Sequence, residues 1–233
     1  MVLPSHPTRL VADRLAGSRE SQDLLAALDL LLDDRRALVA WLRSTVADPE
    51  RLDRVAAASY WHANGFAKLV LHDGPGFRIR LHVWPAGEDR RGEPDPHSHR
   101  WDFASTVLAG AGLEVVEYEE LLTSVSGEDA ETVRYAYYGR SLVPDTKVFL
   151  RRDREFEVLI GDRYETVTTR IHTVAPKGDD LVATLLVQGP HTNPAAVVYG
   201  EGLDARGSLG HAVDADAVRA LVTGVVAALD ARG

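Results

Sequence analysis

The chain has 233 residues, 45% of them hydrophobic and 26% charged, with a formal net charge of −9 and no cysteine. That is globular composition, and the length supports a full core without crosslinks. The acidic balance and dispersed arginines argue against a nucleic-acid or polybasic membrane partner, because neutralising phosphates needs clustered Lys and Arg; without cysteine, any transition metal has to be held by histidine or carboxylate.

The start, "MVLPSHPTRLVADRL", lacks the apolar run of a secretory signal, and no stretch approaches the ~20 apolar residues of a membrane span. The expected location is the cytoplasm. Residues 1–19 are expected to be loosely ordered, and residues 20–233 to form one domain. Within it, "SQDLLAALDLLLDD" and "RRALVAWLRSTVA" carry apolar residues at helical spacing. In "DPERLDRVAAASYW", Asp48 suits an N-cap and Pro49 the first helical position. Two or three helices are therefore predicted over residues 20–62. From residue 65 to 200 the chain breaks into short segments rich in β-branched and aromatic residues, such as "FAKLVLHD", "FRIRLHVW", "LEVVEYEEL", "KVFLRR", "FEVLIG" and "LVATLLVQG". Gly, Pro and Asp punctuate them at roughly 8–12 residue intervals, the pattern of an all-β sandwich or barrel. A last helix is predicted over 214–231, with Val218, Leu221, Val222, Val225, Val226 and Leu229 on one stripe.

"GEPDPHSHRWDF" holds His97 and His99 two positions apart. On a strand, residues i and i+2 share a face, so both imidazoles can converge on one cation. His172, in "TVTTRIHTVAP", is the candidate third ligand from a distant strand. Three neutral imidazoles can hold zinc, iron, nickel or copper and leave the ion's charge for an anionic ligand to offset. Asp102, three residues past His99, would point to the opposite face and reads as a surface or turn carboxylate beside Arg100. The segment "FRIRLHVW" alternates Arg78, Arg80, His82 and Trp84 with Phe77, Ile79, Leu81 and Val83. Its polar face lines either a cavity, with Arg80 and His82 inside, or solvent. Trp101, Tyr135, Tyr137 and Tyr138 read as packing or rim residues, with Tyr137 also a candidate acid.

These residues resemble a known family. "PHSHRWDFASTVLAG" looks like the first metal motif of a cupin and "IHTVAP" like the second, which implies a double-stranded β-helix. The common cupin pattern has a glutamate separated from the second histidine by three or four residues, where this chain has Phe103 and Ala104. That absence is more similar to the cysteine dioxygenase family of thiol dioxygenases, which bind ferrous iron with three histidines after a few N-terminal helices. The similarity runs over about residues 20–195. It implies Fe2+ (alternatively Zn2+ or Ni2+) on His97, His99 and His172, and Lys68 at the position of the family's carboxylate-gripping arginine. The family's Ser-His-Tyr array corresponds to Thr184, Leu186 and Gln188.

The expected function is therefore a mononuclear non-haem iron oxygenase acting with O2 on a small thiol- or carboxylate-bearing substrate, as a monomer or homodimer. Lys68, Arg80 and His82 are the expected substrate-binding residues, and Tyr137 and Gln188 the expected catalytic ones. A cupin enzyme using zinc or another metal without O2, and a non-catalytic ligand-binding protein, are the competing expectations.

Overall fold

The computed structural model describes residues 7–17, 20–62, 65–87, 92–138, 141–203 and 210–232. Four helices open the chain: α1 (Pro7–Leu15), α2 (Ser21–Leu32), α3 (Arg35–Ala47) and α4 (Pro49–Ala58). Thirteen strands follow: β1 (Tyr60–His62), β2 (Phe66–Gly74), β3 (Phe77–Trp84), β4 (Glu93–His97), β5 (Phe103–Ala109), β6 (Leu113–Leu121), β7 (Ala130–Tyr137), β8 (Leu142–Val158), β9 (Arg163–Thr166), β10 (Ile171–Pro176), β11 (Val182–Gln188), β12 (Ala196–Gly200) and β13 (His211–Ala212). Helix α5 (Ala215–Asp230) ends the described chain. The strands form a seven-stranded sheet in the order β13-β1-β2-β3-β11-β5-β9 and a closed barrel in the order β10-β4-β12-β7-β8-β6. This is the mainly β fold with flanking helices that the punctuation pattern predicts. Among the described residues no helix is long and apolar enough to cross a membrane.

Helix starts follow the local chemistry. The Asp48 carboxylate accepts hydrogen bonds from the Glu50 and Arg51 amides at 3.0 and 3.2 Å, ahead of Pro49 in the first turn. Asp34 and Asp214 cap α3 and α5 in the same way. The helices cover one face of the seven-stranded sheet, where Leu42, Leu28 and Val222 meet Leu69, Ile79, Leu81 and Leu185 in one buried cluster. A second cluster lies on the opposite face, between that sheet and the barrel strands, and includes Phe66, Trp84, Phe103, Val115, Tyr164, Val174 and Leu186. The candidate site sits in this second layer.

Three expectations are corrected. The segment read as loosely ordered contains α1, with Val11 and Leu15 buried against its neighbours, and Arg14 reaches the buried Asp23 at 2.6 Å. Two apolar residues one turn apart and one ion pair hold a helix too short to show in a composition-based reading. Residues 60–62, read as the helical end, form β1 beside β2. "KVFLRR" and the first three residues of "FEVLIG" lie on one continuous strand, β8, rather than two. The charged stretch between them faces outward, and Arg151–Glu119 and Arg154–Glu117 pairs link it to β6, so polarity does not interrupt the ladder.

Candidate metal centre

β3 shows its two faces to two interiors. Phe77, Ile79, Leu81 and Val83 pack on the helix side. Arg80, His82 and Trp84 line a cavity of about 40 Å³ between the sheets, shared with Lys68, Glu93, His99, Trp101, Phe103, Tyr164 and His172. The polar face of "FRIRLHVW" therefore points inward. Burial of both faces is possible because helices take one and barrel strands the other.

His97 and His172 are direct partners across β4 and β10. The pairing then slips, so that Val174 lies opposite Glu93: two residues of β10 run along four of β4. Such a bulge re-aims side chains next to sites. Gly92 admits this geometry. Its φ is +66°, and a Cβ there would lie 2.1 Å from the Val174 carbonyl oxygen. His99 follows in the loop after β4. The loop is clasped by β12, since the Ser98 amide donates to the Val197 carbonyl at 2.8 Å and Ser98 Oγ accepts from the Val197 amide at 3.2 Å.

The ligating atoms of His97, His99 and His172 lie within 4.8 Å of one another. His97 Nδ1 donates to the Asp95 carbonyl at 2.9 Å, which leaves Nε2 as the lone-pair nitrogen, buried and without a hydrogen-bond partner. The Nε2 atoms of His99 and His172 are 3.1 Å apart. A metal ~2.1 Å from each nitrogen holds adjacent ligands roughly 3 Å apart, the spacing of the His99–His172 pair, and the three residues could hold a divalent ion. His172 Nδ1 meets the Tyr164 hydroxyl at 2.9 Å, the outer contact that fixes which nitrogen faces the metal.

Burial, with His97 nearby, pushes His99 and His172 down, His172 to about 3. Burial, with Lys68 nearby, takes His62 to about 3 as well. These imidazoles are neutral at pH 7, as ligation requires. In the unfolded chain they protonate near ~6.5. The unfolded state therefore binds more protons between pH 6.5 and 3. Stability is fully present above that window and is lost as pH falls through it, by up to ~1.4 kcal/mol per pH unit for each imidazole. Urea titrations of metal-free protein from pH 7 to 4 should show a falling midpoint; a flat midpoint contradicts buried neutral imidazoles.

Glu93 is a cavity residue that the spacing argument around His97 and His99 does not pick out. Its Oε1 accepts from Lys68 Nζ at 2.7 Å, and its Oε2 lies 3.6 Å from His97 Nε2. Burial pushes its carboxyl up, but Lys68 and the imidazoles more than offset this and hold it well below the usual range. The signal available in sequence was parity: four residues before His97 on a strand is the same face. Lys68, expected to grip substrate, is thus engaged by Glu93. Arg80 is 6% exposed, has no carboxylate partner among the described residues, and its guanidinium lies 5.1 Å from the Trp101 ring centre.

Other expected residues are placed differently. Gln188 is buried, two residues past Leu186 on β11 and opposite Arg78 and Phe103, and it is not among the residues that line the cavity. Tyr137 is half-buried at the end of β7, on barrel strands not adjacent to β10, and does not line the cavity either. Trp101 is a wall residue, stacked on His191 at 4.9 Å and lying 5.6 Å from His99. Asp102 is not a free surface carboxylate. It accepts from the Thr168 amide at 2.8 Å, tying the His99 loop to the turn before His172. Tyr164 is a site residue without a sequence signal, because only the β5–β9 pairing brings it to His172.

No family model matches the chain, and no curated protein matches it. Solved structures do. A cupin protein from Bacteroides fragilis is 18% identical over 53% of this chain and 75% of its own, with a TM-score of 0.31. KdgF from Halomonas sp. is 16% identical over 54% and 79%, with a TM-score of 0.32. An oxalate oxidase in complex with the substrate analogue glycolate is 18% identical over 57% and 54%, with a TM-score of 0.32. Each likeness takes in little more than half of this chain.

Proposed function

We propose that the protein is a mononuclear non-haem iron oxygenase that uses dioxygen on a small thiol- or carboxylate-bearing substrate. One observation carries this: the imidazole nitrogens of His97, His99 and His172 converge beside a buried cavity lined by His99, His172 and Arg80, the last a cation without a carboxylate partner among the described residues. Ferrous iron on His97, His99 and His172 supplies oxygen activation and Lewis acidity when bound. The chain supplies the rest. Arg80 offers a planar fork to a substrate carboxylate, and Trp101 beneath it keeps that fork level. Tyr164 keeps the proton on His172 Nδ1, so Nε2 faces inward. Phe103, Val174 and Leu186 exclude bulk water, which strengthens each charge contact inside.

The test is anaerobic purification with metal analysis, followed by oxygen-electrode screening of thiols and small carboxylates. Iron near one per chain with oxygen uptake on at least one compound is the expected result. Bound zinc with no oxygen uptake on any compound overturns the oxygenase reading in favour of a non-redox metal enzyme.

A further inference from the structure

We propose that Glu93 is a fourth ligand of the metal, and that Lys68 holds its other oxygen so as to present it. The inference rests on the three-histidine reading above. The carboxylate comes from the opposite end of the motif to the cupin glutamate, whose usual positions hold Phe103 and Ala104, so it belongs to this chain's own geometry.

The two oxygens of Glu93 have different surroundings. Oε1 is bonded to Lys68 Nζ at 2.7 Å and lies 3.7 Å from His62 Nε2. Oε2 has no hydrogen bond among the described residues and lies 3.6 Å from His97 Nε2, the buried nitrogen that also lacks one. An ion on His97 Nε2 thus meets Oε2 after a shift of about an ångström, within reach of a side-chain rotation. The backbone is arranged to put it there. Glu93 and His97 share a face of β4, and the slip in pairing with β10 at Val174 draws the start of that strand toward the site.

Charge favours the same assignment. Lys68 is buried beside the imidazoles and would repel an incoming divalent ion if unpaired. Glu93 cancels that repulsion through Oε1 and offers the ion a carboxylate oxygen through Oε2. One more occupied position also narrows the substrate class. It leaves room for a compact substrate that reaches the metal through one donor atom and places its carboxylate on Arg80.

The experiment is anaerobic titration of wild type, E93Q, K68M and H172A with Co2+ and Mn2+, with the visible spectrum of the Co2+ form and thermal unfolding of each variant. E93Q is isosteric and keeps an oxygen for Lys68. We expect it to bind both ions at least tenfold more weakly and to shift the Co2+ spectrum, while K68M, which keeps the carboxylate but not its hold, loses less affinity than E93Q and keeps the wild-type Co2+ spectrum. If the pair were only a structural salt bridge, E93Q and K68M would lose thermal stability alike and leave the Co2+ spectrum unmoved, and that result overturns the proposal. A crystal structure of the Co2+-loaded wild type decides without variants: a Glu93 oxygen within about 2.2 Å of the ion supports it, and a water in that place overturns it. Metal binding that survives in E93Q with an unchanged spectrum but is lost in H172A refutes Glu93 alone. A wild-type protein that takes up no metal overturns the three-histidine reading as well.

Discussion

His172→Ala should empty the protein of metal. His172 is 1% exposed, opposite His97, and one of three converging nitrogens. Loss of an outer contact to a metal ligand typically lowers affinity ~10–100-fold, so loss of the ligand itself should exceed about 100-fold. The variant also leaves a void and strips the buried Tyr164 hydroxyl of its partner, so a stability loss of roughly 2 kcal/mol is expected as well. His99→Ala separates the two effects, because His99 lies in a loop and its Nε2 makes its contact with His172 rather than with the framework. Metal analysis after anaerobic reconstitution, with circular dichroism as the check on folding, is the measurement. A folded His172→Ala protein with one bound metal per chain would place the ion elsewhere.

Arg80→Met is expected to stabilise the fold while crippling the activity. A buried cation with no carboxylate partner among the described residues costs several kcal/mol in desolvation by general estimate, of which stacking on Trp101 returns up to ~2 kcal/mol. Methionine fills much of the same volume without the charge. A net gain of roughly 1–2 kcal/mol follows, about 2–8 °C in melting temperature for a chain of this size. In the same variant a substrate carboxylate entering the cavity finds no partner, which costs ~3–5 kcal/mol, or roughly 100- to several-thousand-fold in kcat/KM. The two outcomes discriminate. A structural role for Arg80 predicts a fall in stability, and an idle surface arginine predicts no change in either measurement. Arg80→Lys should recover only part of the activity, because an ammonium lacks the bidentate fork.

Periodicity was enough for the elements because it is local. The helical stripes of α2, α3 and α5, the Asp48-Pro49 start of α4 and most of the strands are written in neighbouring residues. The same locality explains the errors. α1 depends on contacts made by Val11 and Leu15 to other helices, and β8 depends on cross-strand partners for its charged middle. A window that sees only near neighbours has no access to either.

The site divides along the same line. His97 and His99 announce themselves by spacing, and the strand context of His172 marks it as a distant partner. The inward face of β3 was undecided by alternation, since a polar stripe looks the same against water and against a cavity. Glu93, Tyr164 and the engagement of Lys68 depend on pairings between segments far apart in the chain.

By itself, then, the sequence determined a mainly β chain with helices at both ends and an imidazole-only set of candidate ligands, because composition and periodicity act over a few residues. Tertiary structure alone decided which charges are free. Lys68 finds Glu93 across two strands and is neutralised, while Arg80, one register step away on the next strand, faces the same cavity with no carboxylate paired to it among the described residues. In a dry interior a charge is defined by its neighbours, and neighbours are assigned by the fold.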